Sequence, residues 1–346
     1  IIGCRRQGLS WCWWRRSMKL IFNVSKEQKA VSILFLFFAL SITFFMTRSQ
    51  YMPNINEKYH RHYAVIHHNA DNLYNYRILP SLATELLRQP LSIFIHNTTQ
   101  SFLIATIVWS ILVYFCTQWA MFCFFRQTGL DYISAFVGVM LWVIILPQSL
   151  TGWDESGDIL NLCFFALVSK NFLEGNIVRS IVPLFLSAWN KEQTLLLPVF
   201  YFIGTVFAEK NTKKVFLNTL YIAFVIVSST VLLHIFVGSH SSSTLSSSYL
   251  GTDYLYNIQH PEWILTWLLS LGVFVFFAIP SLEQSLPFLR YNLMFTLPVF
   301  YVMIFFVRAR MREIDKAFIL HLFLIPLAMQ TLSQIYLAFL TKKTKH

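Results

Sequence analysis

Long apolar runs separated by short polar clusters dominate this chain, and that alternation commits it to crossing a lipid bilayer repeatedly. The runs are Ala30 to Thr47, Ser101 to Phe125, Tyr132 to Leu146, Ile159 to Val168, Ile177 to Trp189, Thr194 to Ala208, Val215 to Gly238, Trp263 to Pro280, Tyr291 to Val307 and Ala317 to Leu340. Over 346 residues, 56% are hydrophobic and only 12% charged, against roughly 25% charged in soluble domains. Mean hydropathy is +0.55. Such a chain lacks the polar surface to cover itself, and no stretch is left over for a large soluble domain. The expectation is an all-α integral membrane protein, a polytopic bundle of about ten transmembrane helices with a range of 8–11. The third to sixth runs fall short of the ~20 residues an upright helix needs, so they are expected to be shielded by other helices or to bend back as re-entrant pieces.

The expected organisation is a basic segment 1–29, a transmembrane domain 30–340 and a basic tail 341–346. Residues 1–17 precede Met18 and read as an extension upstream of the natural start; the first apolar run has no small-residue cleavage site after it and reads as a retained anchor. With the N-terminal segment in the cytoplasm, 16 Lys and Arg lie inside and 10 outside, Arg179 falling within a span. Both termini are therefore expected in the cytoplasm. The outside positives gather in the loop after the first span and in Arg308, Arg310 and Arg312, as they would around a site for an anionic ligand. The basic residues form no stripe on one face, which argues against nucleic acid as a partner. Cys4, Cys12, Cys116, Cys123 and Cys163 show no metal-type spacing and carry no expected chemistry.

The same alternation puts the most suggestive charges on one side. The first outer loop carries Glu57, Asp71 and Arg77, and the second carries Trp153, Asp154, Glu155 and Asp158. Further along come Asn190, Lys191 and Glu192, a Ser-rich stretch, and finally Arg308, Arg310, Arg312 and Glu313. Pro80 opens a helix-like pattern in which Leu79, Leu82, Leu86 and Ala83 share a face against Glu85 and Arg88, an interfacial amphipathic helix that sets Arg77 at the membrane surface. Acids and cations so collected suit transfer of a sugar from a lipid phosphate to a hydroxyl. A carboxylate among Glu57, Asp71, Asp154 and Glu155 takes the acceptor proton, and Arg77, Lys191, Arg308, Arg310 and Arg312 hold the phosphate. Trp153, Asp158, Glu192 and Glu313 support them. The acids can alternatively bind a divalent cation that bridges the phosphate.

Four segments carry a family resemblance: Tyr74-Asn75-Tyr76-Arg77-Ile78-Leu79-Pro80, the acidic loop Trp153 to Asp158, Trp189-Asn190-Lys191-Glu192, and Arg310-Met311-Arg312-Glu313. Together they resemble multispanning glycosyltransferases of the GT-C class. The resemblance implies a GT-C-like fold in a bacterial cytoplasmic membrane, a polyprenyl-phosphate sugar donor, a glycan or lipid-linked acceptor, and a catalytic acid in the first outer loop, where Glu57 and Asp71 stand. The chain departs from that pattern in having Lys191-Glu192 where an Arg-Glu pair is more familiar.

Plainer readings stand beside these. Asp154, Glu155 and Asp158 also fit a solvated turn broken by Gly152 and Gly157, and Arg308, Arg310 and Arg312 fit a snorkelling cluster at a helix end. His60, His62, His67 and His68 read as loop residues without a metal role, His234 as hydrogen-bonded between helices, and Asn97-Thr98-Thr99 as a sequon. Two other functions compete: a transporter or lipid flippase, for which an internal repeat and a charged pathway are not evident, and a membrane assembly protein without catalysis.

Overall fold

The computed structural model of the protein describes residues 26–70, 77–149, 155–209, 211–238, 259–262, 265, 267–296, 298 and 318–343. Their regular structure is all helical, with no strand among them. In chain order the helices are α1 (Lys26–Met46, prolonged by a π turn Thr47–Tyr51), α2 (Ile55–Ile66), α3 (Ile78–Phe94), α4 (Thr98–Gln127), α5 (Tyr132–Ser149) and α6 (Glu155–Leu173). There follow α7 (Ile181–Ala188, entered through a 3-10 turn Ile177–Ser180), α8 (Leu197–Val206, entered through Glu192–Leu196) and α9 (Thr212–Val237). The last are α10 (Val273–Ala278), α11 (Pro287–Tyr291, running into a π turn Asn292–Thr296) and α12 (Phe318–Lys343).

Local chemistry starts several of them. Asn97 Oδ1 accepts from the backbone N–H of Gln100 at 3.0 Å at the start of α4, and Asn211 Oδ1 does the same for Lys214 at α9. Asp131 caps α5, accepting from Ile133 and Ser134 backbone N–H groups at 2.9 and 3.0 Å. Each cap satisfies a donor that the first helical turn leaves without a partner.

Among the described residues four helices are long and apolar enough to cross a membrane: Lys26–Tyr51, Thr98–Gln127, Thr212–Val237 and Phe318–Phe339. α1 and α9 expose Ile33, Phe37, Phe44, Phe224, Ile235 and other large apolar side chains, as helices facing lipid do. The shorter runs behave differently. α6 extends at both ends beyond the apolar run Ile159 to Val168, and Ile159, Leu162, Phe165, Ala166 and Val168 are wholly buried on it. Neighbouring helices, foremost α4, shield it.

α7 and α8 are two short pieces that meet at the turn Trp189 to Lys191 and both pack on α9. Ser229 Oγ on α9 donates to Phe185 O at 2.7 Å, and Trp189 Nε1 donates to Ser229 O at 3.2 Å. At the other end of the pair, Asn218 Nδ2 donates to the Tyr201 hydroxyl at 2.7 Å. α9 continues from Ser229 to Val237, and its last turn also meets this turn, the Trp189 ring stacking on Phe236 at 6.3 Å. α4 extends past the end of the first long helix. The Tyr51 hydroxyl, at the end of the first long helix, meets Ser110 Oγ at 3.2 Å, so the segment of α4 from Thr98 projects about 18 Å further. α2 and α3 lie against this projection, with the rings of Tyr59 and His62 at 5.4 and 4.8 Å from Phe102. Val65, Ile78, Leu233 and Val237 form a small apolar cluster of their own there. The fold thus leaves a recess above the α7–α8 turn and roofs it with α2 and α3.

Candidate functional site

That recess is a cleft of about 860 Å³, part of it open solvent. Its walls are the end of the α1 segment (Tyr51), one face of α2, the start of α3, Phe102 and Thr106 of α4, the first turn of α6, and Asn190 and Lys191 of the turn. Among the described residues, four of the lining side chains are cations, Lys58, Arg61, Arg77 and Lys191, against one lining carboxylate, Asp158.

At the floor, Lys191 Nζ forms an ion pair with Asp158, and the two side chains are only 3% and 6% exposed. Asp158 lies in the first turn of α6, where the N–H groups favour negative charge. Beside it Asn190 Nδ2 donates to Gly157 O at 2.8 Å, which ties the turn to the beginning of α6. At the rim, Arg77 grips Glu192 with two hydrogen bonds, Nε to Oε2 at 3.1 Å and Nη2 to Oε1 at 2.7 Å. The backbone N–H of Leu79 donates to Trp189 O at 3.1 Å, so the start of α3 is fastened to the same turn.

The roof has its own polar lock. Arg88 donates twice to Glu85, at 2.9 and 2.7 Å, and His62 Nε2 lies 3.0 Å from Glu85 Oε2. The Arg88 hydrogen bonds are the main reason the Glu85 carboxyl sits at about 2; His62 adds to the effect and burial opposes it. Burial pushes the His62 imidazole below its usual range. A neutral imidazole beside an ionised carboxylate makes this contact an N–H donated to Glu85 rather than a pairing of full charges. Lys58 Nζ stands over the Tyr51 ring at 4.1 Å, a cation–π contact.

Several sequence expectations meet this geometry directly. Arg77, Asp158, Lys191 and Glu192 converge at the cleft. Glu57 does not: it is exposed on the first turn of α2 and is absent from the cleft wall. Glu155 opens α6, while Asp71, Trp153, Asp154, Arg308, Arg310, Arg312 and Glu313 lie outside the described residues. The solvated-turn reading fails for Asp158, which is helical, buried and ion-paired. The helix read from Pro80 exists as α3, but its charged side is not turned to water. Glu85 and Arg88 face α2, while Leu86, at 63% exposed, points outward.

The histidine segment is helix rather than loop: His60 and His62 are on α2 and His67 is its C-cap. His234 bonds Thr230 O of its own helix at 2.8 Å rather than a neighbouring helix. Among the described residues no group of three His, Cys, Asp or Glu side chains is placed to hold a metal ion. The residues the sequence reading missed are Lys58 and Arg61, while Asn190 was named there without a role. Lys58, Arg61, His62 and Val65 recur at helical spacing, a single-face signal that becomes visible once the segment is treated as helix. This chain matches no protein-family model, no curated protein and no solved structure.

Proposed function

We propose that the protein is a membrane glycosyltransferase that takes a sugar from a polyprenyl-phosphate donor at the α2–α3 end of the bundle. The observation that carries this is the cleft itself: cations from three separate segments, Lys58 and Arg61, Arg77, and Lys191, line a recess beside the apolar helices, where among the described residues Asp158 is the carboxylate in the wall and Glu192 pairs with Arg77 at the rim. A clustered positive field against a low-dielectric wall favours an anion, and a lipid anchor brings its phosphate to that depth.

In the reaction, an acceptor hydroxyl oxygen bonds to the anomeric carbon while the bond from that carbon to the phosphate oxygen breaks. The electron pair leaves with polyprenyl phosphate, which the cleft cations stabilise, and the acceptor proton passes to a carboxylate. Asp158, the carboxylate of the described cleft wall, is committed to Lys191 and supports the site; Asp71, Asp154 and Glu155 belong to the adjoining sequence segments and are the candidates for the base, with Arg308, Arg310 and Arg312 as further phosphate ligands. The acceptor is a glycan or a lipid-linked hydroxyl. The reading includes about ten crossings, a GT-C-like fold and both termini in the cytoplasm, so the cleft opens on the outer face.

The test is binding of polyprenyl phosphate to the purified protein in nanodiscs, followed by donor consumption with a polyprenyl-phosphate hexose and membrane lipid as acceptor. Saturable binding that weakens at least about tenfold in Arg61→Ala is expected, from the loss of a charge-assisted contact. Failure of the wild-type protein to bind the lipid phosphate at low salt would overturn the reading.

A further inference from the structure

The cleft contains one polar atom that a phosphate cannot satisfy. Asn190 is 1% exposed, and its Oδ1 has no hydrogen-bond partner among the described residues. Its amide orientation is determined chemically: Gly157 O only accepts, so the atom 2.8 Å from it is the Nδ2 donor and the other is the oxygen. That oxygen faces the gap between Gly157 and Pro80. A Cβ built on Gly157 would stand 3.7 Å from Asn190 Oδ1 and 3.7 Å from Pro80 Cγ. Gly157, Pro80 and Asn190 all line the cleft, and the next residue in the chain, Lys191, is one of its cations.

Phosphate oxygens are acceptors and match Lys58, Arg61, Arg77 and Lys191, but they bring nothing to a buried amide oxygen, which needs a donor. Resting on the transferase reading above, we propose that Asn190 Oδ1 receives a sugar hydroxyl of the donor, so that the cleft selects a hydroxyl-bearing phosphate ester over a phosphate ester without one. The cations hold the phosphate, and the amide beside them reads the group the phosphate carries. Asn190 is then a specificity-determining residue, and the absence of a side chain at Gly157 leaves a methyl-sized space beside its oxygen. Glycosyl phosphates reach this chemistry from two sources, a lipid-linked sugar or a soluble sugar phosphate.

The experiment measures binding to the full chain in nanodiscs. The probes are the glucosyl, galactosyl and mannosyl phosphodiesters of one polyprenol, the methyl phosphodiester of the same polyprenol, which has the charge without the hydroxyls, and glucose 1-phosphate beside methyl phosphate. The variants are Asn190→Ala and Gly157→Ala. The second keeps the hydrogen bond from Asn190 to Gly157 O, and its methyl fits at ordinary contact distance while occupying the gap. The wild-type protein is expected to bind at least one glycosyl diester about tenfold more tightly than the methyl diester, the size of effect a matched hydroxyl in a buried polar site commands. Both variants are expected to lose that preference while keeping methyl-diester affinity within about twofold. A preference confined to glucose 1-phosphate over methyl phosphate would support the hydroxyl contact with a soluble source. A wild-type preference that persists in both variants overturns the role of Asn190 and leaves the transferase reading standing, as does equal binding of glycosyl and methyl diesters. Absence of binding by every phosphate probe removes the transferase reading and this inference with it.

Discussion

Two adjacent residues of one turn, Lys191 and Glu192, each form an ion pair, and the pairs sit at opposite extremes of burial. Lys191 and Asp158 are sealed at the cleft floor at 3% and 6% exposure, whereas Arg77 is 17% and Glu192 53% exposed at the rim. Both join distant segments, yet physics gives them different work. Separating the floor pair leaves a charge where water cannot reach it, so the two residues stand or fall together. At the rim Glu192 is half-exposed while Arg77 is mostly covered, so Glu192 can be given up cheaply and Arg77 can exchange it for a ligand anion. One end of the turn is thus a fixed foundation and the other an adjustable grip.

The comparison is sharpest at the floor. Lys191→Met is expected to cost about 3–5 kcal/mol, while Lys191→Met combined with Asp158→Asn recovers much of that loss because no charge is left buried. Thermal unfolding in detergent of the singles and the double checks this, and additive losses would break the distinction between the two pairs. Next in size is the roof: Glu85→Ala strands Arg88 and the His62 N–H, with an expected loss of about 1–3 kcal/mol. At the rim, Glu192→Gln is expected to change stability by less than about 1 kcal/mol. Lipid-phosphate binding should be retained in Glu192→Gln and weakened in Arg77→Ala, measured as in the binding assay above.

Acid resolves the roof by sign. Burial holds the folded His62 imidazole below its ordinary value of 6.5. The unfolded chain therefore binds the extra proton first, and stability falls as pH drops below about 6.5 until the folded value is passed. Glu85 is held at about 2 against 4.5, so its contribution is present above 4.5 and is lost as pH falls toward 2. Unfolding followed against pH should show the first loss vanish in His62→Phe and the second in Glu85→Gln; an unchanged profile in both would remove the roof lock from the account.

The membrane-embedded helices were legible because lipid imposes a simple rule, and the runs at Ala30, Ser101, Val215 and Ala317 answer it by length alone. α3 was legible from Pro80 and the leucine spacing. α2 was not, because Ile55–Ile66 is polar and histidine-rich, with no apolar stripe to announce a helix that is held by partners on α3 and α4. Asp158 read as a loop acid because α6 begins earlier than its apolar run. Only the neighbouring turn, far along the chain, makes burial of that carboxylate tolerable.

By itself, then, the sequence determined that this chain is helical and lives among lipids, since apolar length and charge scarcity act locally along the chain. It also supplied Arg77, Asp158, Lys191 and Glu192 as residues of interest. Tertiary structure decided which charges meet. The projection of α4 beyond α1, with α2 and α3 laid against it, creates a recess that no local pattern encodes. Inside it, pairing and burial depend on residues that the chain holds many positions apart and that packing alone brings within hydrogen-bond reach.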